Sequence, residues 1–486
     1  MADQRVLPWP TTESYWLRNA PWQGESQTPL PEKADVVIIG GGITGFSTAY
    51  WLRQLRPELK IVVIEARGVS SGATGRNGMV WCLVFGGLCW PNLNDAFRKT
   101  VAHIGLPSAK KLLEFEHLTL RAIKNFVSRH CDTDGGTFDP QLHIMPRGGL
   151  LLFTTEEQLR EGYADYEALV KAGVGDNVIR LSREQVGEMT GSDKFLGGLQ
   201  GKMVAIVWAA RLVFALAREV IRPTETKGPM AEIHTFTRAQ SVVRDPATGY
   251  LSITTSRGRI TAAHVVHATN AWAWTLLPAF RARIVPVRNQ VIFVRPPREN
   301  SHLWDFVISA NDGYEYMSQR VSGDVILGGM RNIVEGREEG KPDDSTLNPK
   351  ISQSLRRYLP EKFKAFRAEG EEVHAEMEWC GVMGFAHDRL PYVGSLENVL
   401  NKEEGKGQWI AAGFTGHGEL YSFTPRLVSQ KSLELLCMTR TFLSGRAIAE
   451  MIAGIPVSDW FPEEFQPDHH RRELCYKQDS QVSAKL

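Results

Sequence analysis

Three glycines and one acid carry the first chemistry in this chain. Gly40, Gly42 and Gly45 form a Gly-x-Gly-x-x-Gly string, and Glu65 follows twenty residues after the last of them. In a strand–turn–helix the first glycine allows a tight turn and the second lets backbone approach a pyrophosphate. The third lets helix and strand pack closely. A helix that opens there offers free N–H groups and a partial positive charge to phosphate. A carboxylate at Glu65 accepts hydrogen bonds from ribose hydroxyls and repels a 2′-phosphate. The pattern predicts a dinucleotide site and leaves NAD and FAD both open.

The elements needed to position these residues are legible around them. Asp35 to Ile39 is a continuous β-branched apolar run, as a parallel strand buried on both faces requires. Phe46 to Leu55 reads as a helix, and Lys60 to Ile64 as a second buried strand ending at Glu65. Together they make one βαβ unit of roughly 30 residues. Farther on, Pro107 to Cys131, Glu156 to Ala172 and Ala205 to Ile221 read as helices. Gly148 to Thr154, Val265 to Ala268, Ile284 to Arg295 and Tyr314 to Gly329 read as β segments, and Ile233 to Thr255 alternates around a turn near Asp245–Gly249. No internal repeat, low-complexity block or coiled-coil heptad is present.

Composition narrows the partners. The chain has 486 residues, 43% of them hydrophobic, enough for two domains with separate cores. Its 56 basic and 55 acidic residues leave a net charge of +1, which gives no footprint for nucleic acid or an anionic membrane. Small molecules are the expected partners. The six cysteines form neither a CxxC pair nor a Cys/His cluster at metal-ligand spacing, so no metal site is expected. They read as reduced thiols. No apolar run approaches the roughly 20 residues of a membrane span, and residues 1–29 read as a polar, Pro/Trp-rich extension without a secretory leader. The chain is therefore expected to be soluble. A polar tail, 466–486, ends in Ala484-Lys485-Leu486, a close variant of the Ser-Lys-Leu address read by the peroxisomal import receptor. It predicts a peroxisomal matrix location, with the cytoplasm as the alternative.

Four further blocks resemble the D-amino-acid oxidase/glycine oxidase/sarcosine oxidase superfamily of FAD-dependent oxidoreductases, from about Ala34 to Phe465. Ser70-Ser71-Gly72-Ala73-Thr74-Gly75-Arg76-Asn77-Gly78 is similar to its second flavin loop, and His267-Ala268-Thr269-Asn270-Ala271-Trp272 to its second strand-to-loop contact. Trp379-Cys380-Gly381 with Asp388-Arg389-Leu390-Pro391-Tyr392-Val393-Gly394 resembles the block before the C-terminal flavin loop. Gly413-Phe414-Thr415-Gly416-His417-Gly418 resembles that loop.

The resemblance implies an α/β (mixed α+β) fold. It comprises a Rossmann-like FAD-binding domain, residues 30–90, 200–285 and 375–465, and a discontinuous substrate domain on a mainly antiparallel sheet, residues 91–199 and 286–374. It implies FAD contacts at Gly40, Gly42, Ile43, Thr44, Gly45, Glu65, Ala66 and Arg67, and at Ser71, Gly72, Ala73, Thr74, Arg76, Asn77 and Gly78. Further contacts are implied at Val242, at Ala268, Thr269, Asn270 and Trp272, and at Gly413, Phe414, Thr415, Gly416, His417 and Gly418. Cys380 lies one residue upstream of the cysteine that tethers flavin in some relatives, so FAD is expected to be non-covalent.

The implied chemistry is oxidation of a C–N bond in an amine or amino acid, by hydride transfer from the α-carbon to flavin N5. Imine hydrolysis follows, and O2 returns the flavin to its oxidised form with release of hydrogen peroxide. A same-fold dehydrogenase with another acceptor is the nearest alternative. Arg76 is the first candidate for substrate or oxygen chemistry, against a role in fixing its own loop through backbone carbonyls. His417 and Tyr316 are the other catalytic candidates, with Tyr314 and Arg320 on the same strand face.

Three departures from the family pattern matter. Met79 to Gly86 and Glu419 to Cys437 interrupt flavin-contacting loops, as genuine lids or untrimmed introns, and a flavin-binding protein with impaired turnover is a further alternative. Ala386-His387-Asp388-Arg389 stands where relatives carry Thr-Pro-Asp-Gly, which puts the geometry of that turn in question.

Overall fold

The computed structural model describes residues 10–78, 83–84, 97–202, 204–223, 231–300, 302–415, 438–467 and 471. At its centre lies β1, Lys33–Ile39, hydrogen-bonded in parallel on both sides. One neighbour is β2, Ile61–Ile64; the other is Gly258–His267. Val36, Val37 and Ile38 are fully buried, which is why the run needs apolar residues at every position rather than alternate ones. The register places Ile39 opposite both Ile64 and His267, so three strands end at one level. Glu232–His234 extends this sheet in parallel beyond β2, and Gln408–Ala412 does so beyond Gly258–His267. An antiparallel meander, Ala239–Arg244 and Leu251–Thr255, forms one edge.

Helix α1, Ile43–Leu55, packs on the Val36/Ile38 face of this sheet. With it lie α2, Leu106–His130, α3, Ala209–Ile221, and α4, Thr441–Ile452. The opposite face, Val37, Ile39, Val62 and Ile64, is covered by Leu251, Ile253 and Ile260. α2 was expected in the substrate domain. It joins both cores instead: Leu112, Phe115 and Leu120 face the parallel sheet's helices, while Ala109 and Leu113 meet Leu151 and Leu199.

A second eight-stranded sheet runs in the order Met377–Ala386, Ile284–Val294, Val325–Gly329, Glu315–Gln319, Val307–Ala310, Gly149–Phe153, Gly197–Gly201, Val178–Leu181. All its pairings are antiparallel except Val307–Ala310 with Gly149–Phe153. The boundary expected at 375 falls too early. Met377–Ala386 pairs with Ile284–Val294 from Phe293↔Met377 to Ile284↔Ala386, and the parallel sheet resumes only at Tyr392–Ser395. Ala205 and Ile206, expected to be helical, lie in a strand, Val204–Ile206, of a small three-stranded sheet, and α3 begins at Ala209.

The turn at Ala386–Arg389 closes without a glycine. Arg389 sits at φ 66°, in the left-handed region, and its N–H donates to Ala386 O at 3.0 Å. Asp388 braces it by accepting from Leu390 N at 3.2 Å. Among the described residues no helix is long and apolar enough to cross a membrane, and no group of three His, Cys, Asp or Glu could hold a metal ion.

Candidate cofactor and active site

The level ends of the parallel strands make the floor of the site. Gly40, at φ 119°, turns the chain out of β1, and a Cβ there would lie 2.4 Å from Ala268 O. A Cβ at Gly45 would lie 2.0 Å from Gly40 O, so α1 reaches the turn only because that side chain is missing. Gly42 is the N-cap of α1 and provides no capping side chain. Ile43 N donates to Thr74 Oγ1 at 3.4 Å, and the helix presents its remaining first-turn amides and its positive dipole end to the cavity. Glu65, at the end of β2, accepts from Gly41 N at 2.7 Å and Arg67 N at 2.9 Å. Both carboxylate oxygens keep further lone-pair capacity for a ligand hydroxyl.

One cavity extends from this floor between the two sheets. Gly40, Gly42, Ile43, Thr44, Glu65, Ala66 and Arg67 line one end. Gly72, Ala73, Thr74, Arg76, Asn77 and Gly78 line its side, with Ala268, Thr269, Asn270 and Trp272 from the strand-to-loop contact, and Phe414 and Tyr316 beyond. Thr269 Oγ1 and Trp272 Nε1 are buried and have no hydrogen-bond partner among the described residues. Unpartnered buried polar atoms in a cavity wall are available to a ligand.

Other expected contacts act at one remove. Gly45 packs on Gly40 as described. Ser71 donates its hydroxyl to Gln23 Oε1 at 3.2 Å, and its carbonyl accepts from Arg67 Nη2 at 3.0 Å and Arg76 Nε at 2.9 Å. Gly413 N donates to Asn270 Oδ1 at 3.1 Å, and Thr415 Oγ1 accepts from Ala386 N at 3.0 Å. Val242 does not line the cavity. It lies on the edge strand Ala239–Arg244, against the Val37/Ile39 face, and Thr237, Arg238 and Ala239 reach the cavity in its place. Gly416, His417 and Gly418 lie outside the described residues, as do Met79–Cys82, Phe85, Gly86, Glu419–Cys437 and Ala484–Leu486.

Arg76, expected to meet substrate or oxygen, has its guanidinium committed to the protein. Nε donates to Ser71 O, Nη1 to Thr12 O at 2.8 Å and Cys380 O at 3.1 Å, and Nη2 to Thr11 Oγ1. Asp344, fully buried, pairs with Arg76 Nε at 3.4 Å and with Arg67 Nη1 at 3.0 Å. Burial lowers the Arg76 pKa to about 10, Asp344 opposing that shift. Arg76 thus fixes its own loop. Its reach across the chain to Thr12, Asp344 and Cys380 has no local sequence signal.

At the far end, Tyr316 enters the cavity from the second sheet, its hydroxyl accepting from Asn289 Nδ2 at 2.9 Å. Gly78 and Gly328 flank the ring. Val291, Gly381 and Met383 complete this end. The signal for Asn289 was available: Arg288-Asn289-Gln290 is a polar triplet inside an otherwise apolar buried strand. Tyr314 and Arg320 do not share the cavity. Tyr314 accepts from Arg337 Nη1 at 3.1 Å, and Arg320 donates to Tyr15 and Gln141. The Cys380 thiol, pushed up to about 11 by burial, points to Thr346 O at 3.3 Å and does not line the cavity.

These residues fit FAD. The uncapped helix and Gly42 suit its pyrophosphate, Glu65 its ribose, and Thr269 and Trp272 supply the unpartnered polar atoms.

Known proteins point the same way. The probable oxidoreductase OrdL of Rhizobium meliloti (strain 1021) is 24% identical over 395 residues, covering 80% of each chain. The gamma-glutamylputrescine oxidoreductase of Escherichia coli (strain K12) is 25% identical over 436 residues, 86% of this chain and 84% of that one. Among solved structures, glycine oxidase from Geobacillus kaustophilus superposes with a TM-score of 0.65 at 20% identity, covering 90% of this chain and all of that one. L-proline dehydrogenase from P. horikoshii gives 0.65 at 20% identity, covering 91% and 99%. The family model described as DAO, FAD dependent oxidoreductase, matches residues 35–424, and the chain belongs to that family.

Proposed function

We propose that this protein oxidises the C–N bond of a small amine or amino acid. The carrying observation is the continuity of one cavity from the dinucleotide floor at Gly40–Glu65 to the second sheet at Asn289 and Tyr316. A substrate entering the far end meets the same cavity that holds the cofactor. The relatives' names support an amine or amino-acid substrate: gamma-glutamylputrescine oxidoreductase, and a glycine oxidase of Bacillus licheniformis that is 23% identical over 456 residues.

FAD, when bound, supplies a two-electron acceptor for the hydride on the carbon beside nitrogen. The protein's part is positional. Glu65 and the first turn of α1 anchor the adenosine and pyrophosphate, so the remote half contributes binding energy that orients the reacting half. Tyr316, held by Asn289, offers a hydroxyl for the substrate's polar group, and Val291 and Met383 keep water from the reacting carbon. The imine product leaves to hydrolyse in water, and O2 takes the electrons to give peroxide.

Anaerobic mixing of the yellow protein with secondary amino acids, N-methylated amines, D-amino acids, primary amines and Amadori-type adducts tests this. Bleaching by one class supports the reading; no bleaching by any sinks it. Peroxide under air, against reduction of an artificial dye only, then decides the electron acceptor.

A further inference from the structure

We propose that the segment preceding the family-matched region, residues 11–28, is a strap that builds the ring end of the flavin site. The family match begins at residue 35, so the strap lies outside it. Its sequence is polar at most positions, yet Trp16 is only 2% exposed.

The strap holds the outer side of the loop whose inner side lines the cavity. Ser14 Oγ donates to Gly75 O at 2.6 Å and Trp16 Nε1 to Asn77 O at 2.7 Å. Leu17 packs where a Cβ on Gly75 would come within 2.7 Å. Gln23 donates to Val69 O at 2.8 Å and accepts from Ser71 Oγ. The strap also binds the second sheet: Thr12 Oγ1 accepts from Cys380 N at 3.1 Å, and Tyr15 stacks on Phe293 at 4.6 Å between ring centroids.

The loop needs such support. Its only regular element is one 3-10 turn, Ala73–Gly75, flanked by Gly72 and Gly78. A single 3-10 turn is weak, and ordering each residue costs roughly 1–2 kcal/mol of conformational entropy. Asn77, tied to Trp16, is followed by Gly78, which touches the Tyr316 ring. Ser14 and Trp16 are therefore positioning residues for the ring end: their bonds go to Gly75 and Asn77. The loop meets the Gly40–Glu65 floor separately, where Ser70 N donates to Gly41 O at 2.9 Å and Ile43 N to Thr74 Oγ1 at 3.4 Å.

The test compares FAD with ADP. Trp16→Phe keeps the aromatic packing and removes the donor to Asn77 O; Ser14→Ala removes the donor to Gly75 O. Each should weaken FAD binding to stripped apoprotein by about fivefold to tenfold, the effect of one buried hydrogen bond. The double variant should lose roughly 25- to 100-fold if the two bonds act independently. ADP, which reaches only the floor, should bind as it does to wild type, and the visible absorption bands of bound flavin should shift. FAD affinity and bands unchanged in the double variant would overturn the proposal. So would equal losses of FAD and ADP affinity, which mark general loosening of the fold.

Discussion

Asp344 carries the sharpest consequence of the structure. Its carboxylate is fully buried, 3.0 Å from Arg67 Nη1 and 3.4 Å from Arg76 Nε, and the two guanidiniums are nearly as enclosed. Asp344→Asn keeps the shape and removes the charge, leaving two buried cations with only neutral acceptors. Removing one partner of a buried ion pair costs about 3–5 kcal/mol, because the stranded charge cannot regain water. An exposed pair such as Glu13–Arg18 is worth less than about 1 kcal/mol, since solvent screens it. Against a typical stability of about 5–15 kcal/mol, the Asn variant should unfold at much lower urea than wild type, and Glu13→Gln should not. Arg67 and Arg76 both line the cavity, so flavin release should move with the unfolding transition. Tryptophan and flavin fluorescence in one urea titration measure both. A cycle with Arg76→Gln should show coupling above about 1 kcal/mol. Wild-type unfolding and flavin retention in Asp344→Asn would refute the reasoning. A stable, flavin-replete Arg76→Gln protein without turnover would return Arg76 to a catalytic role.

Two further expectations concern the parallel sheet. Gly45→Ala places a methyl 2.0 Å from Gly40 O, and backbone must move; overpacking of this kind costs about 1–3 kcal/mol. FAD and ADP titrations of the apoprotein should both weaken, and tight ADP binding would show that the helix does not need this approach. His267, fully buried beside Gln408, has its pKa lowered to about 4 by loss of solvation. Its unfolded value is about 6.5, so below that pH the unfolded chain binds the proton and the native chain does not. Its contribution leaves stability intact above about 6.5 and removes up to about 3 kcal/mol as pH falls toward 4. Urea midpoints across that range should fall less steeply in His267→Gln, and identical slopes would contradict the assignment.

What the sequence disclosed follows how local each interaction is. Gly40, Gly42, Gly45 and Glu65 belong to one βαβ unit, and every partner they need lies on that unit or on the strand beside it. Their spacing therefore encodes their geometry. Arg76 has the opposite character. One acceptor, Ser71 O, is local, but others lie 64 residues upstream at Thr12 and 304 downstream at Cys380, and residue type alone left it equally suited to a substrate carboxylate or to carbonyls. The cavity contact expected at Val242 arises at Thr237–Ala239 because the chain turns at Phe236, at φ 51°. No periodicity marks where a strand yields to such a turn. The Pro/Trp-rich start read as an extension, since Tyr15-Trp16-Leu17 is a short apolar run in a polar stretch. Trp16 is buried by Trp208 and Trp379, which lie nearly 200 and more than 360 residues away.

The two ends of the cavity are built on different principles. At the floor the ligand-facing groups are backbone amides at a helix start and the level ends of parallel strands, which few side-chain substitutions can alter. At the far end the wall is made of side chains from the second sheet meeting a loop of the first. Tyr316 joins them. A Cβ at Gly78 would lie 2.2 Å from its ring and one at Gly328 2.4 Å from its hydroxyl, so the ring occupies the space both glycines leave. Asn289 then fixes the hydroxyl. A tyrosine gripped on two faces and tethered at its tip spends little further entropy in meeting a substrate. Its position also registers the second sheet against the flavin loop. Under the proposed function, selectivity rests on Asn289, Val291, Met383 and the tyrosine tip, which line that end of the cavity. None of the four lies on the Gly40–Glu65 floor, so under that proposal substrate choice can vary while the floor stays intact, with Tyr316 the exception that also packs on the flavin loop at Gly78.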